Sequence, residues 1–185
     1  MENIYFISAD RLKEDTVISE TTDNKFVNPV ILMVQDIYIQ SVLGTALYGE
    51  IKTQIKENMV SVLNKKLLDN YLQITIKYYC MAELSNPLTY GYMNNAVWAD
   101  NKQEVNPAQL DQIRNYYLNH AEWYAKRVVK YLQQNHTSYP LWLEGNVTMD
   151  AIRPKANTYQ TGMYLGNPRN SGFSGLFVDE GENNC

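Results

Sequence analysis

Asp36-Ile37-Tyr38-Ile39-Gln40, followed by Leu43-Gly44-Thr45 and Leu47-Tyr48, puts a helix end, a glycine stop and a new helix start into thirteen residues. Gly44 stands where a left-handed C-terminal cap belongs, and Thr45 can cap the helix that follows. Reading backward, Asn28-Pro29 is the start signal: Asn caps, and Pro fits a first helical position where its missing N–H costs nothing. Apolar residues fill Val30 to Val34 and recur at Ile37, Tyr38, Ile39, Val42 and Leu43. That is too many for one stripe. It predicts a helix covered on most sides, either central in the domain or shared with a neighbouring subunit. Reading forward, Leu47, Tyr48, Ile51, Ile55 and Met59 keep helical spacing, with Glu50, Lys52, Lys56 and Glu57 outside.

Two more helices follow. From Leu63 to Leu84, one stripe is Leu67, Tyr71, Ile74, Tyr78 and Met81, and a second is Leu68, Leu72, Tyr79 and Ala82; Asn86-Pro87 is the expected stop. Residues 88–105 predict a short β-hairpin or extended loop around Asn94-Asn95. Asn106, Pro107 and Gln109 open the longest helix. Leu110, Ile113, Tyr117, Ala121, Tyr124, Val128 and Tyr131 then run at spacings of three and four to Gln134. Such a helix spans roughly 42 Å and predicts the spine of a bundle. The fold class is thus mainly α: a bundle of about four helices with a long C-terminal spine helix, a small hairpin or loop, and extended arms at both ends.

Residues 1–26 form the expected N-terminal arm, with Ser8 capping one or two turns from Ala9 to about Glu14. Residues 27–145 form the helical domain, closed by an apolar plug, Tyr139-Pro140-Leu141-Trp142-Leu143, that can fold back on the bundle. Residues 146–185 form an extended tail, broken by Gly162, Gly166, Gly172, Gly175 and Gly181. The tail keeps Tyr159, Met163, Tyr164, Leu165, Phe173, Leu176, Phe177 and Val178, whereas solvated tails are poor in such residues. Tyr159, Met163, Tyr164, Leu165, Phe173, Leu176 and Phe177 are therefore the candidate interface residues. Thr158 to Leu165 can add as a strand to a partner's sheet edge, so the tail is expected to dock on a different subunit.

Composition narrows function by exclusion. With 16 basic and 20 acidic residues the net charge is −4, and one modest basic cluster, Lys126, Arg127 and Lys130, reads as a solvated helix face. A DNA-gripping protein would carry more. Fifteen Tyr against four Phe favour half-wet contacts between surfaces. Cys80 sits in an apolar helical pattern as a small buried hydrophobe and Cys185 in an acidic tail, so no disulfide framework arises and a reducing compartment is expected. Asn135-His136-Thr137 and Asn146-Val147-Thr148 match glycosylation acceptors, but Met1-Glu2-Asn3 opens no signal-like run, so both read as chance matches. No apolar stretch is expected to span a membrane.

Catalytic chemistry finds no foothold. His120 and His136 lie sixteen apart without a Cys at metal spacing. No Gly-rich loop follows a strand, no Ser occupies a nucleophile elbow, and no carboxylate pair stands out. Tyr78, Met81 and Trp123 read as core, not as a ligand pocket. The expectation is a non-enzyme without cofactor or metal.

Three segments resemble the head–tail connector (adaptor, or head-completion) proteins of tailed bacteriophages, of the crAss-like type. They are Asp36 to Tyr48; the helix opening Leu67-Leu68-Asp69-Asn70-Tyr71; and Leu110 to Leu132, with Ile113-Arg114-Asn115, Ala121-Glu122-Trp123-Tyr124-Ala125, Arg127 and Tyr131-Leu132. The resemblance implies a structural virion protein of the viral neck, assembled in the host cytoplasm. It implies a homo-oligomeric ring, twelvefold, beneath the portal protein, extending the DNA channel and offering downstream tail or ring proteins a docking face. DNA would pass without specific binding, and no membrane would be involved. It brings no catalytic residue. A helical nucleic-acid-binding or regulatory module is the alternative; it requires a basic recognition helix.

Overall fold

The structure is a computed structural model that describes residues 3–93, 96–99, 107–143 and 152–154. It is mainly helical. The first helix, α1 (Ala9–Glu14), is capped by Ser8, whose side chain accepts from the Arg11 N–H. The next run is α2 (Asn24–Val34), a π-helical turn (Gln35–Ile39) and α3 (Gln40–Lys56). Then come α4 (Val62–Leu67), a second π-helical turn (Leu68–Leu72) and α5 (Gln73–Thr89). Strands β1 (Tyr90–Met93) and β2 (Ala96–Ala99) pair antiparallel, Tyr90 opposite Ala99. The long α6 (Pro107–Gln134) and the short α7 (Pro140–Leu143) complete the described body.

Each π-helical turn accommodates one extra residue. Around the first, the buried positions are Val27, Val30, Ile31, Val34 and Gln35, then Ile39, Val42 and Leu43. A straight helix would bury position 38 in place of 39, so the bulge shifts the pattern by one. This slippage makes the sequence look apolar all round. The core is built by that face together with Leu67, Leu72, Ile76, Tyr79, Cys80 and Leu84, and by Ala121, Val128 and Leu132 of α6. Helix α5 is central, packing against both α2 and α6.

Several boundaries differ from expectation. Helix α2 starts five residues before Pro29, because Asp23 caps it by accepting from the Lys25 N–H at 2.9 Å. Pro29 then lies inside the helix on an exposed position, where water can reach the carbonyl its ring leaves unbonded. Helix α5 continues past Pro87 to Thr89. Asn106, expected to cap α6, and Asn94-Asn95, the expected turn, lie outside the described residues.

Residues 1–26 were expected as an extended arm, yet Phe6, Ile7, Leu12 and Ile18 are buried in the core. The fully buried Gln35 side chain holds this segment like a neighbouring strand: Oε1 accepts from the Phe6 N–H at 2.7 Å, and Nε2 donates to the Ile4 carbonyl at 3.1 Å. The plug folds back as expected. Tyr139 and Trp142 are buried; Tyr139 donates to the Leu63 carbonyl at 2.9 Å and the Trp142 indole to the Val42 carbonyl at 3.0 Å.

Gly44 breaks the helix with φ 75° and ψ 158°. This is not the left-handed cap expected but an extended, positive-φ conformation open essentially to glycine alone. Thr45 does not cap its own helix. Its N–H donates to the Ile152 carbonyl at 3.0 Å, and its hydroxyl oxygen accepts from the Ile152 N–H at 2.8 Å. Pro154 Cδ lies 2.8 Å from where a Cβ on Gly44 would stand. The chain beyond the plug is thus pinned on the kink.

The run Asn24–Lys56, 33 residues with a mean hydropathy of 1.5 in its most apolar window, is by length and composition long and apolar enough to cross a membrane, contrary to expectation. Half of that window is buried within the protein, as in the core helix of a folded body.

Candidate interaction surface

The inner face of α2 is spent on α5, and its outer face is bare. Phe26, Met33 and Ile37 are exposed, Ile37 to 56%. Asp36, beside Ile37, accepts from the Tyr48 hydroxyl at 2.6 Å and pairs with Lys52 at 3.3 Å, which fixes the rim of this face.

The second bare face lies on α6. Ala121, Ala125, Val128, Val129 and Leu132 are buried, while Ile113, Tyr116 and Trp123 project outward, Trp123 at 59% exposure. Trp123, read from sequence as core, is a surface residue. It lies one position before the stripe residue Tyr124, about 100° round the helix, and that offset was available in the sequence. The ring meets Tyr124 edge-on at 4.9 Å, and Tyr124 stacks on Tyr78 of α5 at 5.0 Å. His120 stacks on Tyr78 at 5.7 Å and lies 4.4 Å from Tyr116. Its Nδ1 sits 2.8 Å from the Tyr116 carbonyl; a carbonyl only accepts, so this nitrogen donates. An aromatic ladder thus runs from α5 to the surface and holds Trp123 in place. The helix continues into Lys126, Arg127 and Lys130, all exposed, with the Arg127 guanidinium 5.2 Å over the Tyr71 ring.

Beside this face a groove of about 340 Å³ is lined by Asp15, Val17, Ile74, Lys77, Met81 and Tyr117 among others. Lys77 donates to Asp15 at 2.7 Å and holds that carboxyl below its usual range. Burial, with Tyr124 beside it, pushes the Tyr78 phenol up. Glu83 of α5 joins the first π-helical turn to α6: its Oε1 accepts from both Tyr38 and Arg114 at 2.8 Å. Burial and this carboxylate push the Tyr38 phenol up to about 12. Tyr38 also stacks on Tyr79 at 4.1 Å.

Among the described residues no group of three or more His, Cys, Asp or Glu could hold a metal ion. Burial pushes the Cys80 thiol up, which keeps it neutral and unreactive. All seven interface candidates, Tyr159, Met163, Tyr164, Leu165, Phe173, Leu176 and Phe177, lie outside the described residues.

No curated protein and no solved structure matches the chain. Residues 39–152 match a family of unknown function, DUF6712, a span that takes in the α6 face and ends at the residue paired with Thr45. With well over half its length in that match, the chain belongs to the DUF6712 family.

Proposed function

We propose that the chain is a structural subunit of a tailed-phage neck. Copies form a ring, twelvefold as in the connector proteins it resembles, beneath the portal. The ring extends the DNA channel, joins head to tail and presents a docking face to downstream tail or ring proteins. It assembles in the host cytoplasm, stays in the virion, spans no membrane and carries no catalysis. In this reading the fold is a bundle of about four helices with α6 as its spine, and the Thr158–Leu165 part of the tail adds as a strand to a neighbour.

One observation carries the proposal: two separate apolar faces are bare, Phe26, Met33 and Ile37 on the run from α2 into the first π-helical turn and Ile113, Tyr116 and Trp123 on α6. A two-fold dimer needs one self-complementary patch. A ring needs two different patches that meet across each contact, so that one interface repeats until it closes. Withdrawing a side chain such as Ile37 or Phe26 fully from water is worth about 1.5–3 kcal/mol, less here because each is already partly covered. The net charge of −4 suits a channel whose DNA must slide.

The test is imaging of purified virion necks, with assembly of the Ile37→Asp variant on the portal alongside. Ile37 is exposed, so the variant should keep its unfolding free energy in urea within about 0.5 kcal/mol while losing rings. A chain absent from particles, or a monomer that binds DNA with steep salt dependence, would replace this reading with the nucleic-acid module.

A further inference from the structure

We propose that residues 173–182 of one copy dock on the basic end of α6 of the next copy, with Phe177 against Trp123 and the following carboxylates against Lys126 and Lys130. This rests on the ring reading and names the seat of the tail within it.

Charge and order argue for the pairing. After Arg169 the only charged side chains are Asp179, Glu180 and Glu182, directly behind Leu176, Phe177 and Val178. On α6, Trp123 is followed by Lys126, Arg127 and Lys130, and Glu122 is the one carboxylate between Ala121 and Gln134. Both partners therefore read apolar first and charged second, with opposite sign. An aromatic anchor beside exposed ion pairs gives affinity from the ring and register from the charges.

The point of departure argues for the next copy. Ile152 and Pro154 are pinned on Gly44 and Thr45, in the same helical run that bears Phe26, Met33 and Ile37. The tail therefore starts from the edge that meets a neighbour in the ring. In the ring reading a neighbour's α6 face lies against that edge. Phe173 is 19 residues beyond Pro154, a length of chain whose ends can lie about 25 Å apart. That covers roughly 20 Å across two helix layers. Ile113 and Tyr116 remain for the lateral contact with α2.

Cys185 supplies the probe, because Cys80 is buried. Full-length chain with Lys130→Cys and Cys185→Ser is mixed with unaltered chain, assembled on the portal and treated with a short bismaleimide. A Lys56→Cys, Cys185→Ser chain, with its thiol on exposed α3, is the control. The seat predicts inter-chain product about tenfold above that control, the signature of raised effective concentration. The excess should vanish in 1 M salt, where the Debye length is about 3 Å, and with Asp179→Asn, Glu180→Gln, Glu182→Gln in the tail donor. Equal yields at Lys130→Cys and Lys56→Cys overturn the seat. So does a single chain carrying both thiols that yields only an intrachain product. Mass measured on the same samples separates the two claims: rings without the Lys130 product refute the seat alone, and monomer without product refutes both.

Discussion

Gly44 is restricted twice, by its own backbone angles and by the proline seated on it. An added methyl would meet Pro154 Cδ at 2.8 Å in a conformation that side chains rarely adopt. Gly44→Ala should cost about 1–3 kcal/mol from the backbone alone and should dislodge Ile152–Pro154. A urea titration and trypsin cleavage after Lys155 check this; unchanged cleavage would mean the pin is not held there. Gln35 is restricted by its partners. Gln35→Ala leaves the Phe6 N–H and Ile4 carbonyl unpaired in the core, at about 1–3 kcal/mol for each group. Its expected signature is fast amide exchange at Phe6, with α6 amides still protected. The sequence announced Gly44 because glycine marks a break by itself. It gave no sign of Ile152 or Phe6, because those partners lie 107 residues from Thr45 and 29 from Gln35 and bond through backbone groups that nearly every residue possesses.

Helix ends were legible where one signal stood unopposed. Ser8 opens α1, and Pro107 and Gln134 bound α6 as read. Two start signals, Asp23 and Asn28, competed for α2, and the earlier won because tertiary burial of Val27 rewards the extra turns. The π-helical turns were invisible, since no residue type encodes them and only the drift in burial betrays them. They predict an unusual tolerance. Deleting exposed Ile37 turns the Gln35–Ile39 bulge into ordinary helix and leaves both flanks facing the core. Deleting exposed Asn119 from regular α6 turns everything beyond it by about 100°. Circular dichroism and melting should show the first deletion folded, with its midpoint lowered by a few degrees, and the second unfolded. Equal damage from both would contradict the assigned role of the bulge.

For the molecule as a whole, tyrosine sets the alkaline limit. Burial is the leading cause raising the phenols of Tyr38, Tyr48, Tyr78, Tyr79 and Tyr139. A raised folded value means the folded chain holds its proton more tightly. The resulting stability is complete below the ordinary value of 10 and is lost as pH climbs through the folded values, about 12 for Tyr38. Absorbance at 295 nm and helix signal should therefore change together between about pH 10 and 12. Ionisation of all fifteen tyrosines near 10 with the helices intact would refute that coupling. The mainly helical class was readable because periodicity is written locally. The two bare faces were only half readable: an excess of apolar residues shows that something must cover a helix, and only packing shows which side is left over.

The clasp at Gln35 and the pin at Thr45 are ten positions apart on one helical run, roughly 15 Å. The incoming chain is fastened at the first and the outgoing chain at the second. A pull on the two ends of the body is therefore borne by that short run, and tension passes from one end to the other without crossing the α5–α6 interior.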